Sequence, residues 1–589
     1  MKFKFFLIRS ISIAIMLILT LVSLVLAVVM SHASTPSSGD TLYFPWMLFG
    51  DELVPLLFFI PALIFRSRMC TLAAIITSFM NIFIRTSAII LFNETFMPLD
   101  YHSLKILWQH TDLYALEAAF GEHFIYWLIP LLLMGGSVVI YCCILSWKTA
   151  GKSYRRVSRK WVFFFSILLG LSLISNLLFL IFRMNTPESY LASRPLPIVS
   201  ADLTNVTLRK LYERKDFQKI PLPESSQKIL KEMNIIPAEK VETRTGTEHF
   251  DRIIIIAVES LDFSFIGALN PQMPPGITPE LDKLTGNYPS MKNYFAAAQP
   301  TSWALNALLL SRLDYDKDRY MDNLSLFSIL KSKDFYSYYF SAASGKFGEN
   351  RRIYKSTFFP DEQFFLEEWE STSRFIKESD WGLSDKTLFE GVFEQLKNSG
   401  KKRFIALIST MDTHPDYYSC DLTDEEKRNF PTPFLQALHN CDREIGKFVR
   451  KLTADPELYN DRTLIVITAD HTATHGENFL KRKNFTPARI PLIFICRDQN
   501  IFAGLDTGKF ASSIDLAPTL LHLTGCQIPE TFIGRALFSP KNMAISRVFG
   551  DVLLLNTPAG EQAVNTREED TPDKTAQAFR DLYHSHYGR

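Results

Sequence analysis

The sequence predicts an α/β protein in which a five-helix transmembrane domain is followed by a doubly wound, mostly parallel sheet domain. Three observations carry this. Long apolar stretches are confined to the chain before Arg183. After Phe250, short apolar runs alternate with helical patterns, as in a sheet covered on both faces. Two of those runs stop abruptly at metal-seeking side chains: residues 251–260 close on Glu259, and residues 463–471 close on Asp470 and His471.

The membrane half comes first. Crossing a hydrocarbon core of ~30 Å takes ~20 helical residues, and residues 5–29, 44–65, 70–92, 124–147 and 161–182 each supply such a stretch or nearly so. Basic residues set the orientation. Lys2, Lys4 and Arg9 precede the first span, Arg66 and Arg68 follow the second, and Lys148, Lys152, Arg155, Arg156, Arg159 and Lys160 lie between the fourth and fifth. All three clusters belong on the cytoplasmic side, so the amino terminus is expected inside and the chain after Arg183 outside. The first span is too long for a cleaved leader, and its removal would set the remaining spans against the basic loops. Asp51 and Glu52 in the second span fall at the depth of Arg85 in the third, which predicts that Arg85 pairs with Asp51 or Glu52 between adjacent helices; the alternative is a second span that begins at Leu53, with the acids in interfacial water and Arg85 snorkelling outward.

The remainder divides into a connector at 184–249, a catalytic domain at 250–545 and a carboxyl-terminal tail at 546–589. The connector is rich in Pro, Glu, Lys and Ser, with an amphipathic piece at 226–233. Strands are expected at 251–260, 404–409, 464–468 and 491–496, and helices at 383–396, 433–452 and 514–523. The charged tail after Gly560 reads as loosely held surface. Cys70, Cys142 and Cys143 fall in or beside spans, while Cys420, Cys441, Cys496 and Cys526 lie beyond them. Cys420 with Cys441 is the favoured disulfide among the three pairings, since both flank one short excursion. The 589 residues are 47% hydrophobic with a formal charge of +1. No broad basic surface argues for nucleic acid.

Open α/β sheets place their chemistry just past the carboxyl ends of parallel strands. Glu259, Asp470 and His471 are therefore candidate ligands converging on a cation, although a buried strand followed by one acid is a common arrangement without any metal. Between them, residues 299–311 read as a turn followed by an apolar helix that begins at Thr301 or Ser302. A hydroxyl there either caps the helix or acts as a nucleophile where first-turn N–H groups favour an anionic substrate.

Val258-Glu259-Ser260, Ile277-Thr278-Pro279-Glu280-Leu281-Asp282-Lys283-Leu284, Pro300-Thr301-Ser302, Thr410-Met411-Asp412-Thr413-His414, Ala469-Asp470-His471 and Ser513-Ile514-Asp515-Leu516-Ala517-Pro518-Thr519-Leu520 follow one another in this order. In that order they resemble the alkaline phosphatase and sulfatase superfamily, and within it the membrane-anchored transferases typified by lipoteichoic acid synthase. The resemblance covers about 250–538 and extends to the layout of the membrane half.

It implies an extracytoplasmic sheet domain of the alkaline phosphatase type on a bacterial cytoplasmic (inner) membrane. The implied site holds one divalent metal ion, Zn or Mn, on Glu259, Thr301, Asp470 and His471, with Thr301 as nucleophile ahead of its neighbour Ser302. His414 and Arg351 would bind substrate, Arg352 being the alternative to Arg351, and His475 is a further candidate. The implied donor is a phospholipid and the acceptor an envelope glycan or glycolipid.

Two departures favour phosphoglycerol over phosphoethanolamine as the transferred group. Phosphoethanolamine transferases carry a further histidine where this chain has Lys481, Arg482 and Lys483, and a cysteine after the nucleophile that is missing here. The Cys/Ser-x-Pro-x-Arg pattern of true sulfatases is also missing. A membrane-bound hydrolase and a non-catalytic lipid sensor remain the rival readings.

Overall fold

A computed structural model of the chain describes residues 221–236, 247–270, 276–299, 301–313, 324–346, 350–371, 377–379, 381–414, 417–420, 422–472, 489–548, 552–565 and 573–587, with Ile76 and Ile167 as isolated positions. The chain divides into two units, 1–216 and 217–589, and the elements below belong to the second. Among the described residues no helix is long and apolar enough to cross a membrane. The five expected spans and the Asp51, Glu52 and Arg85 pairing lie outside the described residues.

The helices used below are α1 (Glu224–Glu232), α2 (Pro279–Asn287), α3 (Thr301–Leu310), α4 (Asn350–Phe358), α5 (Asp385–Asn398), α6 (Pro433–Ala454), α7 (Leu516–Leu523) and α8 (Lys574–Tyr587). The strands are β1 (Arg252–Val258), β2 (Asn293–Phe295), β3 (Tyr336–Ser341), β4 (Glu362–Phe364), β5 (Phe404–Ser409), β6 (Thr463–Ala469), β7 (Leu492–Ile495), β8 (Phe510–Ser512), β9 (Ala544–Val548), β10 (Val552–Thr557) and β11 (Gly560–Asn565).

The main sheet runs β4-β3-β5-β1-β6-β7, parallel except for β7, which is antiparallel to β6. Every residue of β5 and β6 is buried, which explains their unbroken apolar sequences: helices cover both faces of a parallel sheet. Register is what positions the site. Val258 pairs with Ala469, so the next residues, Glu259 and Asp470, leave the sheet at the same level. On the other side Ala257 pairs with Ser409, which brings Thr410 beside them.

Element boundaries shift for local reasons. The first strand stops at Val258 because Ser260 takes a left-handed conformation, φ 53°, a turn that ends extended structure. The expected helix at 514–523 begins as a 3-10 turn over Ser513–Asp515 before α7. Helices α5 and α6 start where Ser384 and Thr432 accept the backbone N–H groups of Thr387 and Leu435.

Helix α2 is capped by another helix. Asp442 of α6 accepts from the N–H groups of Glu280, 3.0 Å, and Leu281, 2.8 Å. Gly446, one turn on, allows this approach, since a Cβ there would overlap the Glu280 side chain.

Two expectations are corrected. The tail after Gly560 is not loose: β11 joins the antiparallel sheet β11-β10-β9, and α8 buries Ala578, Phe579, Leu582 and Tyr583. These residues recur at helical spacing and form an apolar stripe that the surrounding charges disguise. They share a second core with Leu230 of α1, Ile545, Leu553 and Val564, and Ser226 donates to Asp581 at 2.6 Å. The favoured disulfide is also absent, as Cys420, Cys441, Cys496 and Cys526 are all free thiols. Cys420 reaches Asn440, while Cys441, one position along α6, is wholly buried on a different face beside Asp385.

Burial pushes the Asp442 carboxyl up to about 7 from its ordinary 3.8. A raised folded value means that the stability it contributes is full below the unfolded value and is lost as pH rises through about 7. Asp442→Asn, which keeps one acceptor oxygen, is expected to flatten that slope. Asp442→Ala removes both caps and should cost about 1–3 kcal/mol. Denaturant unfolding at acidic and alkaline pH checks both, and an unchanged slope in the Asn variant would refute the assignment.

Candidate metal centre

Glu259, Asp470 and His471 each offer a ligand atom, and these atoms lie within 4.8 Å of one another. All three residues are buried, at 3%, 2% and 4% exposure. His471 Nε2 is 3.5 Å from Glu259 Oε1 and 3.4 Å from Asp470 Oδ2. Thr301, the first residue of α3, completes the group: its Oγ1 donates to Glu259 Oε2 at 3.1 Å and lies 3.2 Å from His471 Nε2. Ser302 is the next residue along the same helix turn.

The surrounding bonds aim these groups inward. Asp470 Oδ1 accepts the N–H groups of Ser260, 3.0 Å, and His471, 2.7 Å. Its other oxygen, Oδ2, is buried without a hydrogen-bond partner, and such an atom is costly unless something positive meets it. The Nδ1–H of His471 donates to the Thr472 carbonyl at 2.9 Å, which leaves Nε2 as the lone-pair donor facing the acids. Two carboxylates, an imidazole and a hydroxyl form a donor set suited to a divalent cation.

Electrostatics point the same way. Burial, reinforced by the Glu259 charge, pushes Asp470 up to about 7. Burial pulls His471 down, but the charges of Asp470 and Glu259 outweigh it and leave the imidazole raised.

Several residues of the site carry no sequence signal of their own. Thr410 Oγ1 accepts from the Glu259 N–H at 2.9 Å, and Thr413 Oγ1 donates to the Glu259 carbonyl at 2.5 Å. Ser260 Oγ donates to Glu259 Oε1 at 2.7 Å. Gln299 donates to Thr472 Oγ1 at 2.9 Å and so ties the turn before α3 to the turn after β6. Thr410 and Thr413 stand inside one of the quoted sequence blocks, but their grip on Glu259 depends on strand register.

The expected substrate residues are placed as follows. His414 packs its ring 4.1 Å from that of Trp381. Arg351, on α4, donates to Glu367 at 2.7 Å and to Glu368, with its side chain 40% exposed. Tyr354 of α4 is buried, and burial, with smaller contributions from Tyr339, Asp470 and Glu259, pushes its phenol up. His475, Lys481, Arg482 and Lys483 lie outside the described residues.

Comparison with known proteins places this centre in context. The sulfatase family matches residues 251–526. Lipoteichoic acid synthase 2 of Bacillus subtilis (strain 168) is 26% identical over 222 residues, 34% of this chain and 32% of that protein. A multifunctional alkaline phosphatase superfamily protein of Trinickia caryophylli is 39% identical over 80 residues, 13% of this chain and 16% of that one. The chain thus matches less than two thirds of the length of these relatives. Among solved structures, the lipoteichoic acid synthase LtaP from Listeria monocytogenes is similar at 18% identity and TM-score 0.46, covering 62% of this chain and 96% of that one. The lipooligosaccharide phosphoethanolamine transferase A from Neisseria meningitidis is similar at 14% identity and TM-score 0.48, covering 85% and 99%.

Removing one anionic ligand should lower metal affinity by at least about tenfold, the scale at which even outer-shell changes act. Asp470→Asn and Glu259→Gln are therefore expected to lose metal during dialysis that the parent protein survives. Elemental analysis reads this directly, and full occupancy in both variants would exclude the centre.

Proposed function

We propose that this chain, whose residues 251–526 match the sulfatase family, is a metal-dependent phosphotransferase of the alkaline phosphatase superfamily that moves a phospho-alcohol head group, phosphoglycerol by preference, from a membrane phospholipid to an envelope glycan or glycolipid. The observation that carries this reading is the placement of Thr301. Its hydroxyl stands at the first residue of a helix and within 3.1 and 3.2 Å of two of the ligand-bearing side chains.

Glu259, Thr301, Asp470 and His471 hold the cation, Zn or Mn, which when bound lowers the pKa of a coordinated hydroxyl and offsets phosphoryl charge. The chain's own residues do the rest. Glu259 Oε2 accepts the Thr301 proton, and the N-terminal turn of α3 favours the incoming phosphate. Thr301 Oγ1 then bonds to phosphorus as the bond from phosphorus to the diacylglycerol oxygen breaks, and diacylglycerol leaves with a proton. An acceptor hydroxyl attacks the phospho-Thr301 intermediate in turn, giving up its proton as Thr301 regains one. His414 and Arg351 hold the head group, Arg351 exchanging a carboxylate partner for the phosphate.

A lipid donor accounts for a membrane half on the same chain, because tethering keeps the domain at high effective concentration over its substrate. The reading places the protein in a bacterial cytoplasmic membrane, amino terminus inside and catalytic domain outside.

Mass spectrometry of the full-length protein after exposure to Zn or Mn and labelled phospholipid is the test. The Thr301 peptide should gain the mass of the phospho-head group, which also identifies it as phosphoglycerol or phosphoethanolamine. Thr301→Ala should lower transfer by roughly 10³-fold or more while Ser302→Ala retains it. An adduct on Ser302 would reassign the nucleophile, and release of free head group with acceptor present would make the protein a hydrolase.

A further inference from the structure

The turn after β5 holds Glu259 at both ends of its residue, through Thr410 to the N–H and Thr413 to the carbonyl. What holds the turn itself is a pair of buried acids. Asp385, the first residue of α5, accepts from the N–H groups of Met411 at 2.7 Å and Asp412 at 3.3 Å. Asp412 returns the contact: its Oδ1 accepts from the Asp385 N–H at 3.1 Å, and its Oδ2 accepts from Asn440 of α6 at 2.9 Å. The two acids are 0% and 1% exposed.

We propose that Asp385 and Asp412 form a reciprocal clamp that positions Glu259 and His414 for the reaction, each acting through the 410–414 turn and neither touching substrate or metal. This deepens the functional reading above and rests on Glu259 being a ligand.

Three features support a positioning role over simple helix capping. Helix α5 already has a cap, because the Ser384 hydroxyl accepts from Thr387 N–H, so Asp385 is not required to start it. Each acid accepts the other's backbone N–H, which fixes the helix start and the turn relative to each other as a single hydrogen-bonded loop would not. The same two segments also carry Trp381 and His414, whose rings pack at 4.1 Å. One clamp therefore sets the distance between a ligand and a candidate substrate residue.

The arrangement is costly for capping alone. Burial pushes both carboxyls up, with the Asp385 charge adding to the rise at Asp412. Among the described residues no lysine or arginine forms an ion pair with either, and Asp385 Oδ2 meets no N–H or O–H donor, the Cys441 thiol being the group beside that carboxyl. Glu378, Glu444 and the Cys441 thiol are the other titratable groups nearby. An acid pair kept under those conditions is held for its geometry: one side-chain oxygen of Asp385 accepts two consecutive turn amides.

The experiment measures Zn affinity of the full-length protein by competition with a chromophoric chelator, alongside kcat and thermal unfolding. Asp385→Ala should weaken Zn binding about 10–100-fold, as loss of a ligand's supporting bond does, and lower kcat at least tenfold. Asp385→Asn keeps the oxygen that accepts both amides and should stay within threefold of wild type in Zn affinity. Thr413→Val cuts the link between turn and Glu259 and leaves the acids in place, so it should weaken Zn binding even if Asp385→Ala does not fold. Combined with Asp385→Ala, it should add little further loss. Wild-type Zn affinity in Thr413→Val, or in a folded but less stable Asp385→Ala, overturns the clamp and leaves the metal centre standing. If the parent protein itself fails to bind Zn or Mn, the centre fails and the clamp with it.

Discussion

Glu259 and Asp470 bring two carboxylates together where water is almost excluded, and the rest of the domain is organised around that fact. Burying an ionised carboxylate carries a penalty of several kcal/mol unless charge and hydrogen bonds offset it. A second buried acid in the same domain shows how complete the compensation can be. Both oxygens of Asp515 meet the Lys541 ammonium, at 2.6 and 2.8 Å, and each also accepts a backbone N–H, from Arg535 and Ser512. Asp470 receives both of its N–H groups on Oδ1 and leaves Oδ2 without a bond. Asp515 belongs to a closed structural pair, whereas Asp470 is open on the side facing Glu259, Thr301 and His471. That difference separates a closed ion pair from a group that could hold a metal ion.

The parallel sheet makes the convergence possible. Glu259 and Asp470 are far apart in sequence, and only the pairing of Val258 with Ala469 brings them level. A slip of one residue would turn each side chain to the opposite face. Seven paired positions from Arg252 to Val258 against Thr463 to Ala469, all but Arg252 buried, hold the register. Apolar packing in the sheet is therefore the direct cause of the polar geometry at its edge.

The same reasoning explains what the sequence revealed and what it hid. Strands β1 and β6 were legible because a fully buried strand must be continuously apolar and a functional edge must end it in polar residues. The hydroxyl at the start of α3 was legible as a position, and the resemblance ranked Thr301 ahead of Ser302; the distances from Thr301 to Glu259 and His471 could come only from the fold. The roles of Thr410, Thr413, Gln299 and Asp385 were hidden, since each acts by a bond to a distant backbone or side chain. Helix α8 was hidden for another reason. Its apolar stripe is short and lies among charges, and its burial depends on α1, more than 300 residues earlier in the chain. The Cys420 and Cys441 pairing failed because proximity in sequence does not specify which face of α6 a thiol occupies.

Helix α3 is held from two directions, and this bears on how well the centre can be aligned. Its first residue is bonded to Glu259 and His471. Its far end is anchored by Ser311, in a left-handed conformation with φ 53°, whose hydroxyl accepts from Gly534 N–H and whose carbonyl accepts from Ile533 N–H. Ala307, between them, packs into the second core with β9, β10, α1 and α8. Displacing a reacting atom by about 1 Å can cost 10²-fold in rate, so a nucleophile on the first turn of a helix is only as well placed as the rest of that helix. The carboxyl-terminal elements thus bear on where Thr301 sits. They make up the wall against which the Thr301 helix is fixed, while the sheet edge fixes the side chains it must meet.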